Sequence, residues 1–509
     1  MKYRSRDNWI IYRRLRKSLL RLLVCLVCWL LWSCAPRGVE VNPPIKLPEK
    51  FSIKGNANLP DKWWLAFNDA KLNTLIQEAL RGNFSLRTAW ARLEQARAVA
   101  AKSGSPLLPS VEGSAGVSRT VQKSAGFPRF YSTKYSLGIS ASYELDLWGR
   151  VRSAYDAARL DAYATQQDLQ TAAITLSAEV ARAWYRLIEQ RKQLRLLDEQ
   201  LQTNEKYLDI ITAKFRKGQA SATDVLQQRQ LVESTKAERF LVEASIEVLE
   251  SQLAVLTGQS PVNFSLEVPE TLPELPPLPQ PGLPAELIRR RPDVRAAELR
   301  LQAADRRVRE AIANQFPKLG LTISAETTDE QIRNLFDNWL ASIAANLVAP
   351  LFDAGQRRAE VERTKAVVSE RLNSYGQVVL TALKEVEDAL QQETKQAQYV
   401  WSLKRQLETS DKATRQTLLN YTKGAVDFTR YLTTLLSHQQ LQRKYLAAKR
   451  DMILYRIDLY RALAGGWELP PPPCAKLTGK LQSIKNPSPK SSATPLERIA
   501  NNKSGSKGM

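Results

Sequence analysis

A single imidazole, that of His438, and four thiols, those of Cys25, Cys28, Cys34 and Cys474, are all that 509 residues supply as soft metal ligands or as bases titrating near neutrality. A zinc site needs several such donors converging on one point. His438 lies in "TRYLTTLLSHQQLQRKYL", where no second histidine or cysteine is placed to share a metal. Ser437 adjoins it, but successive residues of a helix point about 100° apart, so the two do not pair as nucleophile and base. The phosphate-cradling pattern GxxxxGK followed by Ser or Thr is absent, so the chain is not expected to draw work from a nucleotide. Three methionines make no thioether ladder for soft cations. The expectation is a protein that is not an enzyme and carries no cofactor.

One thiol has chemistry of another kind. A basic segment runs to Lys17, and the apolar run "LLRLLVCLVCWLLW" follows from Leu19 to Trp32. That run is shorter than the roughly 20 residues of a helical membrane span and suits an export signal. It ends in "LWSC", residues 31–34, which resembles a bacterial lipobox, with Trp32 bulky for its place. Residues 1–33 then read as a lipoprotein signal peptide, removed so that Cys34 becomes a lipidated N-terminus bearing fatty acyl chains such as palmitate. Cys25 and Cys28 leave with the signal, Cys474 keeps no disulfide partner, and packing alone must hold the fold. The net charge of +22 is partly local: residues 1–33 carry +7 and residues 470–509 carry +6, leaving +9 for the body. No basic cluster interleaved with aromatics stands there, so nucleic acid is not an expected partner.

The elements that would position such a protein come in two copies, offset by about 207 residues. "DLWGR" at 146 answers "DAGQR" at 353, and "FRKG" at 215 answers "YTKG" at 421. The first copy is read as residues 34–268 and the second as 285–468. They are joined by "PETLPELPPLPQPGLP", the proline-rich linker 269–284, and followed by a basic tail, 469–509, whose Lys, Ser and Pro content predicts disorder. Arg150–Lys217 and Gln356–Lys423 are each 68 residues long, without proline and with Gly376 as their one glycine. At about 1.5 Å per residue each makes a helix of roughly 100 Å. Gln219–Thr257 and Ala425–Ala464 return about 60 Å, and helices near Lys71–Ser103 and Glu286–Gln315, about 50 Å each, make up the difference if stacked end to end.

Between the helices stand four alternating segments, at about 110–121, 134–147, 318–327 and 341–352. "KYSLGISASYELDL" sets Tyr135, Leu137, Ile139, Ala141 and Tyr143 on one face and Ser136, Gly138, Ser140 and Ser142 on the other. Strands of this length suit a tilted span between lipid and a water-filled lumen. Four of them cannot close a barrel, so the chain must oligomerise. A structural lipoprotein of coiled coils would account for the helices but not for these strands.

With the lipobox, "WWLAFNDAKLNTLIQEALRGNFSLRTAWARLEQARA" from Trp63, "SYELDLWGRVR" at 142, "RRRPDVRAAELRLQAADRRV" at 289 and "APLFDAGQRRAEV" at 349, the pattern resembles the TolC family of outer-membrane factors, in its lipidated OprM/NodT-like efflux branch, over about residues 34–468. The resemblance implies a mostly α homotrimer with a 12-stranded transmembrane β-barrel, four strands per chain, continued by a long periplasmic α-helical barrel. It implies the exit duct of a tripartite efflux system for small molecules. The partners would be a periplasmic adaptor protein, an inner-membrane transporter of the resistance-nodulation-division type, and outer-membrane lipid. A type I protein secretion channel is the alternative. "FRKGQASATD" and "YTKGAVDFTR" resemble the family's adaptor-contacting tips, placing Phe215, Gly218, Tyr421 and Gly424 there. The family's closed aperture implies a phenol–carboxylate contact between Tyr421 and Asp224. Its acidic inner rings fall on Arg430 and Thr433, and an arginine of its lock falls on Val426, so the charge of the aperture departs from the family pattern.

Overall fold

The computed structural model describes residues 45–469, apart from 54 and 56–59. The signal segment, Cys34 and its lipidation, and the tail from residue 470 with Cys474 lie outside the described residues. The described residues up to Trp467 form one compact unit.

Its elements run α1 (Ala70–Gly82), α2 (Phe84–Gly104), β1 (Ser110–Gln122), β2 (Phe130–Leu145), α3 (Arg150–Arg216) and α4 (Ala222–Thr257). Then α5 (Pro284–Arg290), α6 (Pro292–Ala313), β3 (Lys318–Asp329), β4 (Trp339–Val348), α7 (Gln356–Thr422) and α8 (Phe428–Leu463) repeat the order. The two long helices are 67 residues each and the two returning ones 36 each. Gly149 (φ 74°) and Gly355 (φ 88°) turn the chain into α3 and α7 from a left-handed backbone position. The Asp146 carboxylate accepts the amides of Val151 and Arg152 and so satisfies the first turn of α3. Small residues line the buried face of α3, among them Ala157, Ala164, Ala173, Ala178 and Ala181, which lets neighbouring helices approach closely.

The expected single helices over 71–103 and 286–315 are each broken in two. Asn83 leaves the helix with ψ 124°, accepts the Leu86 amide at 3.0 Å, and donates from Nδ2 to the Leu256 carbonyl at 3.0 Å. Arg291 precedes a proline, which excludes the helical backbone, and its Nη1 donates to the Ala462 carbonyl at 3.0 Å. In both copies the breaking residue thus seals the last turn of the returning helix. Gly82 makes the first junction tight: a Cβ there would meet the Thr257 carbonyl oxygen at 2.1 Å.

The strands form one antiparallel sheet in the order β1-β2-β3-β4. Register carries the alternation across all four: Val111, Ala141, Ile323 and Ile343 stand in one row, and Glu112, Ser140, Ser324 and Ser342 in the next. Two strands differ from the sequence expectation at both ends. β2 begins at Phe130 and stops at Leu145, because Trp148 is drawn off to stack on Phe316 at 4.8 Å and to donate to the Pro317 carbonyl at 2.7 Å. β4 begins at Trp339 and ends at Val348, two residues before Pro350, which has no amide to offer a ladder. β1 and β4 each pair on one side only, so the sheet has two open edges. No helix among the described residues is long and apolar enough to cross a membrane.

Midway along α3, where the end of α8 and the segment before α1 meet it, aromatics gather. Trp63, Phe67, Tyr185 and Tyr460 are buried, with Trp63 and Tyr460 rings 6.0 Å apart and Phe67 and Tyr185 rings 5.3 Å apart. Trp63 donates to Ser177 at 3.2 Å, and the neighbouring Trp184 donates to Asp69 at 2.8 Å.

Candidate aperture and docking tips

The two hairpin tips, α3–α4 and α7–α8, are built by the same turn. In the first, the Gly218 amide donates to Phe215 and the Gln219 amide to Lys214; in the second, Gly424 donates to Tyr421 and Ala425 to Asn420, all at 2.9–3.0 Å. This double closure requires a left-handed residue, and Gly218 (φ 70°) and Gly424 (φ 74°) supply it. A Cβ on either glycine would meet nothing within 4 Å, so the backbone of both tips is open to an approaching molecule. Each following helix is capped from its own start: Ser221 and Asp224 form a reciprocal capping box on α4, and Asp427 accepts the Arg430 amide on α8.

The aromatic residues of the matched tips sit differently. Phe215 is 45% exposed, whereas Tyr421 packs into a cluster that joins the two hairpins. Its ring lies 6.2 Å from Tyr431 in a parallel stack and 5.5 Å edge-on from Phe428. Tyr431 in turn meets Tyr207 of α3 at 5.3 Å, and Ile211 and Leu231 complete the contact from the first hairpin. Burial, aided by the Tyr207 hydroxyl, pushes the Tyr431 phenol well above its ordinary range and keeps it protonated. Over the Tyr421 face stands the Lys214 ammonium, 4.3 Å from the ring centroid.

Asp224 is not brought to Tyr421 within the chain. Its carboxylate accepts the Ser221 amide at 2.9 Å, and no hydrogen bond joins it to the Tyr421 phenol. Arg430 and Thr433 are both exposed on α8. The Thr433 hydroxyl donates back to the Thr429 carbonyl at 2.8 Å, while the Arg430 side chain forms no ion pair among the described residues. Behind the aromatic cluster a buried polar layer links α3 to α8. Asn204 and Gln439 exchange side-chain hydrogen bonds, the shorter at 2.9 Å, and Arg443 donates to Gln200 at 2.7 Å. His438, beside this layer, is lowered from its ordinary imidazole value by burial, against the opposing pull of Asp411. Among the described residues no three His, Cys, Asp or Glu side chains gather as a metal site.

Lys214, Tyr207, Phe428 and Tyr431 were missed from the sequence. A signal was there: Phe428 and Leu435 stand seven residues apart in one helix, as do Tyr207 and Lys214 in another, the interval at which one face of a coiled coil returns.

A four-stranded sheet with one apolar face, one polar face and two open edges, set on paired helical hairpins, defines a channel of the TolC type, a class of trimers whose β-barrel continues into a helical barrel. The family model for the outer membrane efflux protein matches the chain twice, over residues 75–259 and 283–465, and the chain belongs to that family. It is 32% identical over 480 residues to the pyoverdine export outer membrane protein OpmQ of Pseudomonas aeruginosa, covering 89% of this chain and 98% of that one. Outer membrane protein OprJ of the same organism is 29% identical over 470 residues, covering 89% of this chain and 97% of its own length. Among solved structures, the outer-membrane channel OprN superposes with a TM-score of 0.79 at 29% identity, over 85% of this chain and 99% of that one. The protein is therefore an outer-membrane efflux component, the exit duct of an efflux system.

Proposed function

We propose that three copies join β1 of each chain to β4 of the next and form a conduit for small molecules across the outer membrane, with no catalytic step of its own. The observation that carries this is the register. Across the middle of the sheet it keeps apolar residues on one side of four strands and small or polar ones on the other, while leaving two edges whose amides and carbonyls lipid cannot satisfy. Cys34 is proposed as a lipid anchor, on the strength of "LWSC". Phe215, Gly218, Tyr421 and Gly424 are proposed as the surface for a periplasmic adaptor, supported by open backbone at both glycines. Through that adaptor the duct would serve an inner-membrane transporter of the resistance-nodulation-division type. Arg430 and Thr433 are proposed to line the aperture, with Asp224 shaping it by holding the start of α4.

Native mass spectrometry of the full-length protein extracted in detergent tests the assembly and the anchor together. Three chains, each lacking residues 1–33 and carrying acyl chains on Cys34, are expected. A stable monomer would overturn the shared barrel, and a mature chain that retains Trp32 would overturn the lipid anchor.

A further inference from the structure

We infer that the latch holding the two tips of one chain together is the Lys214 ammonium seated on the face of the Tyr421 ring. Lys214 is thereby a gating residue of the aperture, and the Tyr421 hydroxyl is dispensable to it. The inference rests on the duct reading and names the contact by which its periplasmic end closes.

The geometry separates the two candidate partners of Tyr421. Asp224 is spent within its own hairpin, where its carboxylate completes the capping box with Ser221. Lys214 comes from the end of α3, in the other hairpin from Tyr421 at the end of α7, so their contact is a link between tips. The ammonium stands 4.3 Å from the ring centroid, within the reach at which a cation is attracted to an aromatic face. Among the described residues Lys214 forms no ion pair that would draw it elsewhere, and its side chain is half-buried, which strengthens the attraction over that of a fully wetted pair. The opposite partner is prepared as well. Tyr431 stacks parallel to Tyr421, Phe428 meets it edge-on, and Tyr207 of α3 meets Tyr431, so the ring is held in place between the hairpins. Splaying the tips would separate Lys214 from the ring and break the cluster at the same seam. A face contact of this kind needs an aromatic ring and a cation, and it makes no use of the phenol oxygen.

Planar-bilayer recordings of the full-length trimer test this with five variants, each checked for trimer yield. Lys214→Gln and Tyr421→Leu are expected to raise the open-to-closed ratio by about fivefold per chain, while Lys214→Arg and Tyr421→Phe stay within about twofold of the parent. The double variant Lys214→Gln, Tyr421→Leu should open no further than the stronger single one, because both remove the same contact. If Tyr421→Phe opens the channel as far as Tyr421→Leu, the hydroxyl is the latch and the inference falls. If Lys214→Gln gates like the parent, it falls as well. Conducting channels indifferent to Lys214 overturn the latch alone, whereas trimers that never conduct in any variant overturn the duct reading and the latch with it.

Discussion

The two halves of the chain agree in backbone and differ in what they attach to it. Helices of 67 and 36 residues recur in both, each hairpin turns on one left-handed glycine, and each ascending helix is broken at the residue that caps the returning one. At that break the first half uses neutral Asn83. The second uses Arg291, which also meets Asp293 and Glu385 at 2.6 and 2.8 Å. At the tips the first half leaves Phe215 outward and the second turns Tyr421 into the seam between hairpins. Duplication of geometry therefore does not imply duplication of role. The repeated features are those that backbone hydrogen bonding demands, and the divergent ones are side-chain contacts, made within a half at the breaks and between the halves at the tips.

The largest effect should separate the two junctions. Arg291→Met removes a buried guanidinium from Asp293, from the Ala462 carbonyl and from Glu385, which keeps Arg461 as a partner, and is expected to cost about 3 kcal/mol. Asn83→Ala removes a cap and one cross-helix hydrogen bond, at about 0.5–2 kcal/mol. Thermal unfolding of the trimer ranks the two, and equal losses would erase the distinction drawn between the halves.

The sheet is where the halves should behave alike. Ile139 of β2 and Ile323 of β3 stand on the same apolar face, one from each copy. An arginine at either should cost about 2–4 kcal/mol per chain if it falls near the bilayer midplane, and Ser140→Arg on the opposite face far less. Trimer yield in membranes reads this. Equal damage at Ile139 and Ser140 would mean that the alternation does not separate lipid from lumen.

A smaller effect should distinguish the tips. Phe215→Ala is expected to leave gating unchanged while weakening adaptor capture in a pull-down from membranes, whereas Tyr421→Leu should change gating itself. Loss of gating with Phe215→Ala would return the two tips to equivalence.

The smallest effect is a pH dependence confined to the second half. His438 is the eleventh residue of α8, the place that Val232 holds in α4. Burial disfavours its imidazolium, so its pKa is lower folded than unfolded. Below about pH 6.5, where the unfolded chain takes up the proton more readily, the folded state loses stability, and above that value the residue contributes no pH dependence. His438→Val should flatten this acid limb in tip opening followed by hydrogen exchange, and an unchanged limb would assign it to carboxylates.

Much of this architecture is legible in the chain. The helix ends at Arg216 and Thr422 sit one residue inside the breaker-free spans, and the alternation of "KYSLGISASYELDL" survives in the register. What escaped notice has a physical reason. The break at Asn83 is held by the Leu256 carbonyl more than 170 residues away in sequence, whereas Pro292 marks the break at Arg291 locally and was passed over. The strand limits at Leu145 and Val348 are set by Trp148 docking on Phe316 and by a proline beyond the ladder, which alternation alone does not register. At the aperture, the family resemblance directed attention to Asp224, but a carboxylate three residues after a serine at a helix start is claimed locally first. Lys214 reads as an ordinary surface lysine until the second hairpin is laid against the first.

The central claim is that the sheet closes between chains around an open path. Single-channel recording of the full-length protein in planar bilayers tests it most directly, with Tyr421→Leu included as the form whose tips are released. The account predicts discrete conductance steps from trimers, with longer open dwell times in the released form. Trimers that insert stably and pass no current in either form would contradict it.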